Sequence, residues 1–468
     1  MKINIPAGAR YIINELTGHG YEAYIVGGCV RDSLLGKQPN DWDITTSATP
    51  WQVKEIFHRT VDTGIQHGTV TVLVDKKYAE SSEKETEQER DIRHADYAYE
   101  VTTYRVDGKY EDHRRPTEVA FTVSLEEDLK RRDFTINAMA YNDADGIIDI
   151  FGGQEDLKCG VIRCVGSPEE RFGEDALRIL RAVRFAAQLG FEIAGDTQDA
   201  MRKQAKYLHD ISAGRIQVEL TKLLLSDHPD MLVCAYELGL TQVFLPEFDR
   251  MMETEQNNPY HLYSVGRHTV KVIEHVPANM ILRYAALLHD VGKPETRTTD
   301  EDGVDHFYGH QKKSEQMAGD ILRRLKLDNH TIDAVRNLVL NHDYGINGDD
   351  IGMKAFRRFL GHLGKDNFED FITIRKADMA GQSDYNLEAR TRSIHEMEHM
   401  YRTVVEEQQC IRIADLAIGG RDLIDLGMKP GRDIGDMLHM LLEQVLDDPK
   451  KNDREQLLRL AKASMKYK

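Results

Sequence analysis

The sequence has little cysteine: five residues in 468, scattered as Cys29, Cys159, Cys164, Cys234 and Cys410, with no CxxC pair. That excludes a disulfide-built fold and a zinc ribbon, and it points to a reduced, cytoplasmic setting. Long apolar runs are missing as well. None approaches the roughly 18 to 20 residues that a membrane span needs, so no membrane partner is expected. The opening MKINIPAGARYIINEL lacks the basic-then-apolar layout of a secretory signal. Tandem short-period repeats and low-complexity linkers are also absent. Positive charge is in deficit, with 61 Lys+Arg against 79 Asp+Glu and a net charge of -18. The deficit does not exclude a polyanionic partner, because phosphate contacts need local rather than global charge. The acid gathers in an insert at Glu80–Asp96 and near the C-terminal third, whereas Arg178–Lys222 is strongly basic.

What is present fits several soluble domains: 41% hydrophobic and 30% charged residues in a chain too long for one ordinary core. Strands rich in β-branched and aromatic residues are predicted at Tyr21–Val26, Trp42–Thr46, Thr69–Val74, Tyr97–Arg105 and Glu118–Val123. Pro50–His58 reads as a helix capped by Thr49. The polar Glu80–Asp96 insert reads as a solvated excursion. After Asp149 the pattern turns helical, with long candidates at Pro168–Leu189 and Ile211–Leu225 and a small hairpin around Gly160–Cys164. Gly266 to about Gly381 reads as all helix, and Ile434–Val445 as a helix after a stop at Pro430-Gly431. The expected fold class is α+β: a mixed-sheet head at 1–150, then a helical neck at 151–255, a histidine-rich helical region at 256–400 and a helical tail at 401–468.

Three motifs carry chemistry. The first is Ile25–Thr45, where a diglycine turn (Gly27, Gly28) and Arg31 precede Asp41 and Asp43. Glycines admit close backbone approach to an anion, and carboxylates two apart on a strand face one spot. Magnesium takes one or two protein carboxylates plus substrate phosphates, and a pair of ions can clamp an in-line displacement. Asp41 and Asp43 suit that need, with Gly28 and Arg31 holding a triphosphate. The second motif is Leu129–Tyr141, LKRRDFTINAMAY. Arg131 and Arg132 offer charge to phosphates, Asp133 can orient an arginine, and Asn137 can meet a sugar hydroxyl. The third is Glu174–Phe191, where Asp175, Arg178, Arg181 and Arg184 step by three along a helix whose other stripe is apolar.

In this order and spacing the three motifs resemble the class II nucleotidyltransferases of the polymerase beta superfamily. That family holds bacterial CCA-adding tRNA nucleotidyltransferases and poly(A) polymerases. The match runs over about residues 10–225, through VGGCVRDSLLG with DWD, RRDFTINA and EDALRILRAVRF. The resemblance implies a polymerase-beta-like head, two Mg2+ ions on Asp41 and Asp43, and nucleotide binding by Gly28, Arg31 and Arg132. It further implies base reading by Asp175 and Arg178, supported by Arg181 and Arg184. Cytosine and adenine both show an amine donor beside a ring-nitrogen acceptor, which an aspartate and an arginine can meet together. The implied activity is addition of C, C and A to the tRNA 3′ end from CTP and ATP, with release of pyrophosphate. Addition of A alone, or poly(A) synthesis, would use the same head. Arg105–Pro116, with Tyr110, Asp112, Arg114 and Arg115, resembles the flexible loop on which the family's switch between C and A depends, and Glu100 is a candidate third carboxylate.

A second chemistry lies in YAALLHDVGKPET. His289-Asp290, with His268 upstream and Asp378 downstream, resembles the ligand set of HD-superfamily phosphohydrolases. Imidazole with carboxylate suits a transition metal. His310 and His342 are further candidates for a second metal or a substrate phosphate, and a purely structural HD domain is the alternative. The C-terminal LGMKPGRDIGDMLHMLLEQVL resembles the tail of long tRNA nucleotidyltransferases, which touches the outer part of tRNA.

Overall fold

The computed structural model describes residues 2–75, 97–108, 119–345 and 351–465. The Glu80–Asp96 insert and the loop residues Tyr110, Asp112, Arg114 and Arg115 lie outside the described residues. The chain divides into two compact units, Met1–Pro246 and Glu247–Lys468.

The first unit is built on a seven-stranded mixed sheet. Its strands are β1 (Ala23–Val26), β2 (Ile44–Thr46), β3 (Thr60–Gly64), β4 (Thr69–Val74), β5 (Tyr97–Thr103), β8 (Met139–Asn142) and β9 (Gly146–Asp149), in the order β3-β4-β5-β2-β1-β8-β9. Arg105–Asp107 (β6) and Val119–Phe121 (β7) form a separate antiparallel ribbon. Within the large sheet only β2 and β5 run parallel. β1, sequence AYIV, is buried at every position, as an apolar run covered on both faces should be. Its register sets Ile25 opposite Ile44 and Tyr141.

Several expectations need correction. β2 begins at Ile44 rather than Trp42, so Asp41 and Asp43 sit on the extended lead-in to the strand. The Asp43 carbonyl still accepts from Val26 N at 3.0 Å and continues the pairing. β3, β8 and β9 had no counterpart in the sequence reading. β8 is four residues long and fully buried, too short to show a period. The helix expected over Pro168–Leu189 is two, Pro168–Glu174 and Leu177–Leu189. Asp175 breaks it: its backbone is extended, and its Oδ1 accepts from Leu177 N at 3.1 Å, which caps the second helix. In place of a hairpin at Gly160–Cys164, Val161–Ile162 pairs in parallel with Glu192–Ile193. Thr49 does cap Pro50–Ile56, in a reciprocal bond with Gln52.

Among its described residues the second unit is helical apart from a two-stranded hairpin, Thr298–Thr299 with Asp305–His306, where only helix was expected. Helices Val265–His275, Met280–Leu288, His310–Arg324, Asn329–Asn341 and Phe368–Ala380 pack together. The C-terminal helices Arg432–Asp447 and Arg454–Met465 close on a separate core of Leu423, Leu438, Leu441, Val445 and Leu457. Among the described residues no helix is long and apolar enough to cross a membrane.

Gly153 tests how tightly the sheet's surroundings are packed. A Cβ there would lie 2.3 Å from the backbone oxygen of Thr135, inside the second motif. Gly153→Ala should therefore destabilise the protein by about 1–3 kcal/mol, the usual cost of overpacking. Denaturant unfolding checks it: an unchanged midpoint would mean that the contact is slack.

Candidate functional site

Asp41 and Asp43 line one cleft of about 600 Å³ together with Trp42, Thr71, Tyr97, Tyr99 and Glu100. Glu100 arrives from β5, opposite Thr71 of β4. Asp43 keeps solvent access, yet burial by the surrounding protein raises its carboxyl above the ordinary value. Arg132 opposes that shift, while Glu100 and Asp41 add to it. A carboxyl raised by burial and by neighbouring acids is relieved by a bound cation, so Asp43 with Asp41 and Glu100 beside it fits a divalent metal.

Around the cleft the three motifs are joined by polar contacts. Gly27 has φ 80, and a Cβ on it would lie 3.0 Å from Arg132 Nη1, so glycine both permits the turn and leaves room for the guanidinium. The Gly27 N–H is engaged by the Met139 carbonyl at 3.1 Å, which leaves the anion role expected of this turn to Gly28, the first residue of helix Gly28–Leu34. Arg31 Nη1 donates to Asn137 Oδ1 at 2.7 Å, and Asn137 Nδ2 donates to Asp133 Oδ1 at 3.1 Å. Arg181 Nε completes the chain to Asp133 Oδ2 at 2.8 Å. Burial alone would raise the Asp133 carboxyl, but Arg181 and Asn137 bring it down to about 2. Asp133 thus orients an arginine as expected. The Asn137 side chain meets Arg31 through its oxygen and Asp133 through its nitrogen.

Phe185 sits beneath this chain, with the guanidinium carbons of Arg31, Arg181 and Arg184 at 5.0, 5.2 and 3.7 Å from its ring centre. Arg184 is buried and bonded to Glu219 at 2.5 Å. Asp128, also buried, accepts from Arg131 at 2.8 Å, from Arg132 at 3.4 Å and from Thr45 Oγ1 at 3.1 Å. It therefore ties the carboxylate strand to the arginine pair. The sequence reading missed Asp128, Phe185, Arg215 and Glu219. Asp128 had a signal, lying three and four residues before Arg131 and Arg132 in one helical turn.

Asp175 and Arg178, paired by expectation, are each held by other groups here. Asp175 Oδ2 accepts from Arg215 Nη2 at 2.7 Å. Arg178 donates to Glu174 at 2.5 Å and to the backbone carbonyls of Arg171 and Arg131.

The second unit holds a different centre. His268, His289 and Asp378 converge as one buried group, and Asp290, His310 and His342 as another. Asp290 was expected in the first group, and its two oxygens face both. Oδ2 is 3.1 Å from His289 Nε2, whereas Oδ1 is 3.4 and 3.6 Å from His310 and His342 Nε2. All four imidazoles place Nδ1 on a backbone carbonyl: His268 on Gly381, His289 on Ala286, His310 on Phe307 and His342 on Val339, at 2.7 to 3.1 Å. Donation from Nδ1 leaves each inward Nε2 as an acceptor, the tautomer a metal requires. His268 Nε2 is hydrogen-bonded to Asp378 Oδ1 at 3.0 Å, where a cation would take the place of the bridging proton. Asp290 is ion-paired with Lys293 at 2.7 Å, yet neither of its oxygens receives a directed hydrogen bond. Imidazole nitrogens and carboxylate oxygens converging on one buried space fit a cation, and imidazole with carboxylate fits a transition metal. The sequence reading missed Lys293, Gln382, which donates to Asp378, and the fully buried Arg375 beside that carboxylate.

Comparison with known proteins agrees across the chain. Residues 23–163 match the family described as Poly A polymerase head domain, residues 190–252 the Probable RNA and SrmB- binding site of polymerase A, and residues 298–461 tRNA nucleotidyltransferase domain 2. A CCA-adding enzyme of Levilactobacillus brevis is 35% identical over 456 residues, 96% of each chain. One from Lactiplantibacillus plantarum is 50% identical over 221 residues, 47% of this chain, and the matched stretch spans about half that relative's length, 49%. Among solved structures, a Bacillus stearothermophilus CCA-adding enzyme in complex with CTP superposes with a TM-score of 0.69 at 29% identity, over 98% of this chain and 97% of that one.

The depressed Asp133 carboxyl has a stability consequence with a definite sign. Its folded value, about 2, lies below the ordinary 3.8, so its contribution is present above about pH 4 and is lost as pH falls through about 2. The shift corresponds to about 2 kcal/mol. Asp133→Asn should lower stability at neutral pH and flatten its decline between about pH 4 and pH 2, measured by denaturant unfolding across that range. An equally steep decline in the variant would remove Asp133 from the account.

Proposed function

The chain belongs to the family of CCA-adding enzymes, and on that footing we propose that it adds C, C and A to the 3′ end of tRNA from CTP and ATP in the cytoplasm. The observation that carries the reading is the cleft lined by Asp41, Asp43 and Glu100, with Arg132 acting on the Asp43 carboxyl. The finer partition at 150, 255 and 400, into head, neck, HD region and tail, is part of the same proposal. Asp41 and Asp43 would hold two Mg2+ ions, with Glu100 as a further carboxylate; bound metal would supply Lewis-acid activation of the hydroxyl and charge neutralisation on the phosphates. In the transfer, the tRNA 3′-oxygen forms a bond to the α-phosphorus as the bond to its bridging oxygen breaks. Pyrophosphate leaves, and the hydroxyl proton passes to solvent.

The protein's own residues do the positioning. Gly28 lets the backbone approach the triphosphate, and Arg31 and Arg132 present charge to it from fixed orientations. Asp175 accepts from the exocyclic amine of C or A, and Arg178 donates to the ring nitrogen. Arg181 and Arg184 support this surface through Asp133 and Glu219. The tRNA lies along the basic helical neck, read by shape and backbone.

The buried histidine cluster supports a second activity in the same chain, metal-dependent hydrolysis of phosphate esters. His268, His289 and Asp378 would hold one ion and His310 and His342 a second, with Asp290 between them. Bound metal would supply a nucleophilic water near neutral pH.

Supplying CTP, ATP or both with tRNAs ending before CCA, after CC, and with unrelated RNA tests the main reading. Two C and one A on tRNA is the expected outcome; A only on CC-ended tRNA, or long A tracts on any RNA, would replace it with A addition or poly(A) synthesis. Asp41→Asn should cut incorporation about 100-fold or more, since metal ligation is worth several kcal/mol in the transition state.

For the second activity, Ni2+ or Mn2+ at about 100 times its dissociation constant should stabilise the protein by about 2.7 kcal/mol. His289→Ala should abolish that gain and the hydrolysis of p-nitrophenyl phosphate and a 2′,3′-cyclic phosphate. Equal behaviour of variant and wild type would sink the second activity.

A further inference from the structure

The turn after helix Phe368–Ala380 touches two members of the buried histidine cluster without belonging to it. The Gly381 carbonyl accepts from His268 Nδ1 at 3.1 Å, and Gln382 Nε2 donates to Asp378 Oδ1, also at 3.1 Å. The next helix, Leu387–Glu406, holds this turn through Arg390. Arg390 Nη1 donates to Gln382 Oε1 and Nη2 to the Ser383 carbonyl, so one guanidinium grips a side chain and the adjoining backbone. Ser383 is anchored again, by its N–H on the Tyr260 carbonyl at 2.8 Å and by Oγ on the Pro259 carbonyl at 2.5 Å.

Arg390 is only 1% exposed, yet among the described residues none of its hydrogen bonds is to a carboxylate. Its partners are two neutral oxygens, with the Tyr260 ring centre 5.8 Å away. A buried cation paired in this way adds little stability, and apolar packing would fill the space at lower cost. What the guanidinium supplies is direction. It carries donors only, so Gln382 turns its oxygen toward Arg390 and its NH2 group toward Asp378. A reversed amide would set Oε1 against the carboxylate, acceptor on acceptor. With Gln382 fixed on one side of Oδ1, the carboxylate keeps a lone pair for the space it shares with His268 Nε2, 3.0 Å away. Arg375 Nη1 meets the other oxygen, Oδ2, at 3.3 Å.

Resting on the reading of this cluster as a metal centre, we propose that Gln382 and Arg390 are positioning residues for its ligands. Arg390 orients the Gln382 amide and the Gly381–Ser383 turn, and these in turn hold Asp378 and His268 in the ligating orientation. Neither residue takes part in bond changes. Their effect is on how tightly the metal is held, and Arg390 exerts its share through Gln382.

Calorimetry of Mn2+ on the full-length protein tests this, the cluster's share being the binding that His289→Ala removes. Gln382→Met and Arg390→Met should each raise that dissociation constant about ten-fold or more, the usual scale for losing a partner of a metal ligand. The double variant should be no weaker than either single one, because both act on one chain of contacts. Arg390→Lys, which keeps a donor for Gln382, should recover most of the affinity. Hydrolysis of p-nitrophenyl phosphate should need more Mn2+ in Gln382→Met and Arg390→Met, yet reach a kcat near that of the wild type at saturation. Denaturant unfolding of the metal-free proteins checks the fold. Where a single variant fails to fold, the double variant, which leaves neither partner unmatched, carries the test. An unchanged dissociation constant in Gln382→Met or in the double variant would overturn the positioning role. Losses that multiply in the double variant would overturn the action of Arg390 through Gln382. Mn2+ binding that is the same in His289→Ala as in the wild type would instead overturn the metal-centre reading and this role with it.

Discussion

The buried carboxylate of Asp133 is the point on which the first unit's site depends. A charge in that position would be costly unless fully paired, and pairing is what the three motifs supply. Arg181 comes from the third motif, Asn137 from the second, and through Asn137 the contact reaches Arg31 of the first. Each residue needs the others: without Asp133, Arg181 would be a half-buried cation with one partner fewer, and Asn137 would lose the bond that fixes its amide orientation. Asp128 repeats the arrangement one turn earlier, holding Thr45 with Arg131 and Arg132. β2, the arginines of the second motif and the helix Leu177–Leu189 are therefore fixed relative to one another by charge before any ligand arrives. Such preorganised charge acts on developing charge without reorganising, which is where electrostatic stabilisation gains its size.

The second unit meets a related problem with the opposite sign. In the first unit, buried acids find arginines of their own chain. Around Asp290, Lys293 is the nearest protein cation, and four imidazoles oriented through Nδ1 turn acceptor nitrogens toward the same space. Second-contact groups of this kind are what align metal ligands elsewhere, and in this chain they are in place on all four histidines.

Much of this was legible from residue order. The strand at Thr69–Val74, the Thr49 cap, the grouping of Asp41 with Asp43, the arginine partner of Asp133 and the convergence of His268, His289 and Asp378 all follow from pattern or motif. What stayed hidden depends on contacts distant in sequence. β8 is four residues with no readable period, and its identity comes from pairing with β1 and β9. Phe185 lies within the helix expected over Pro168–Leu189, and only the fold brings Arg31 over its ring. The break at Asp175 was invisible because the residues on both sides keep helical spacing, and a single side-chain cap ends one helix and starts the next.

That break matters for the proposed choice between bases. An aspartate in mid-helix would point wherever the helix turned it, whereas Asp175 is gripped from two directions, by Leu177 N on Oδ1 and by Arg215 on Oδ2. A carboxylate offers about four lone-pair sites, so these two bonds orient it and still leave capacity to accept from an exocyclic amine. Arg178 is likewise oriented by Glu174 and two backbone carbonyls. Freely rotating groups could adapt to the reversed donor–acceptor order of uracil or guanine and soften the penalty. Groups held at fixed angles cannot, and the wrong base then leaves buried polar atoms unpaired, a penalty far larger than that of a poor apolar fit. The partners that keep Asp175 and Arg178 apart are thus the features that would let them discriminate. In this reading the pair acts as a template because it is already bonded to something else.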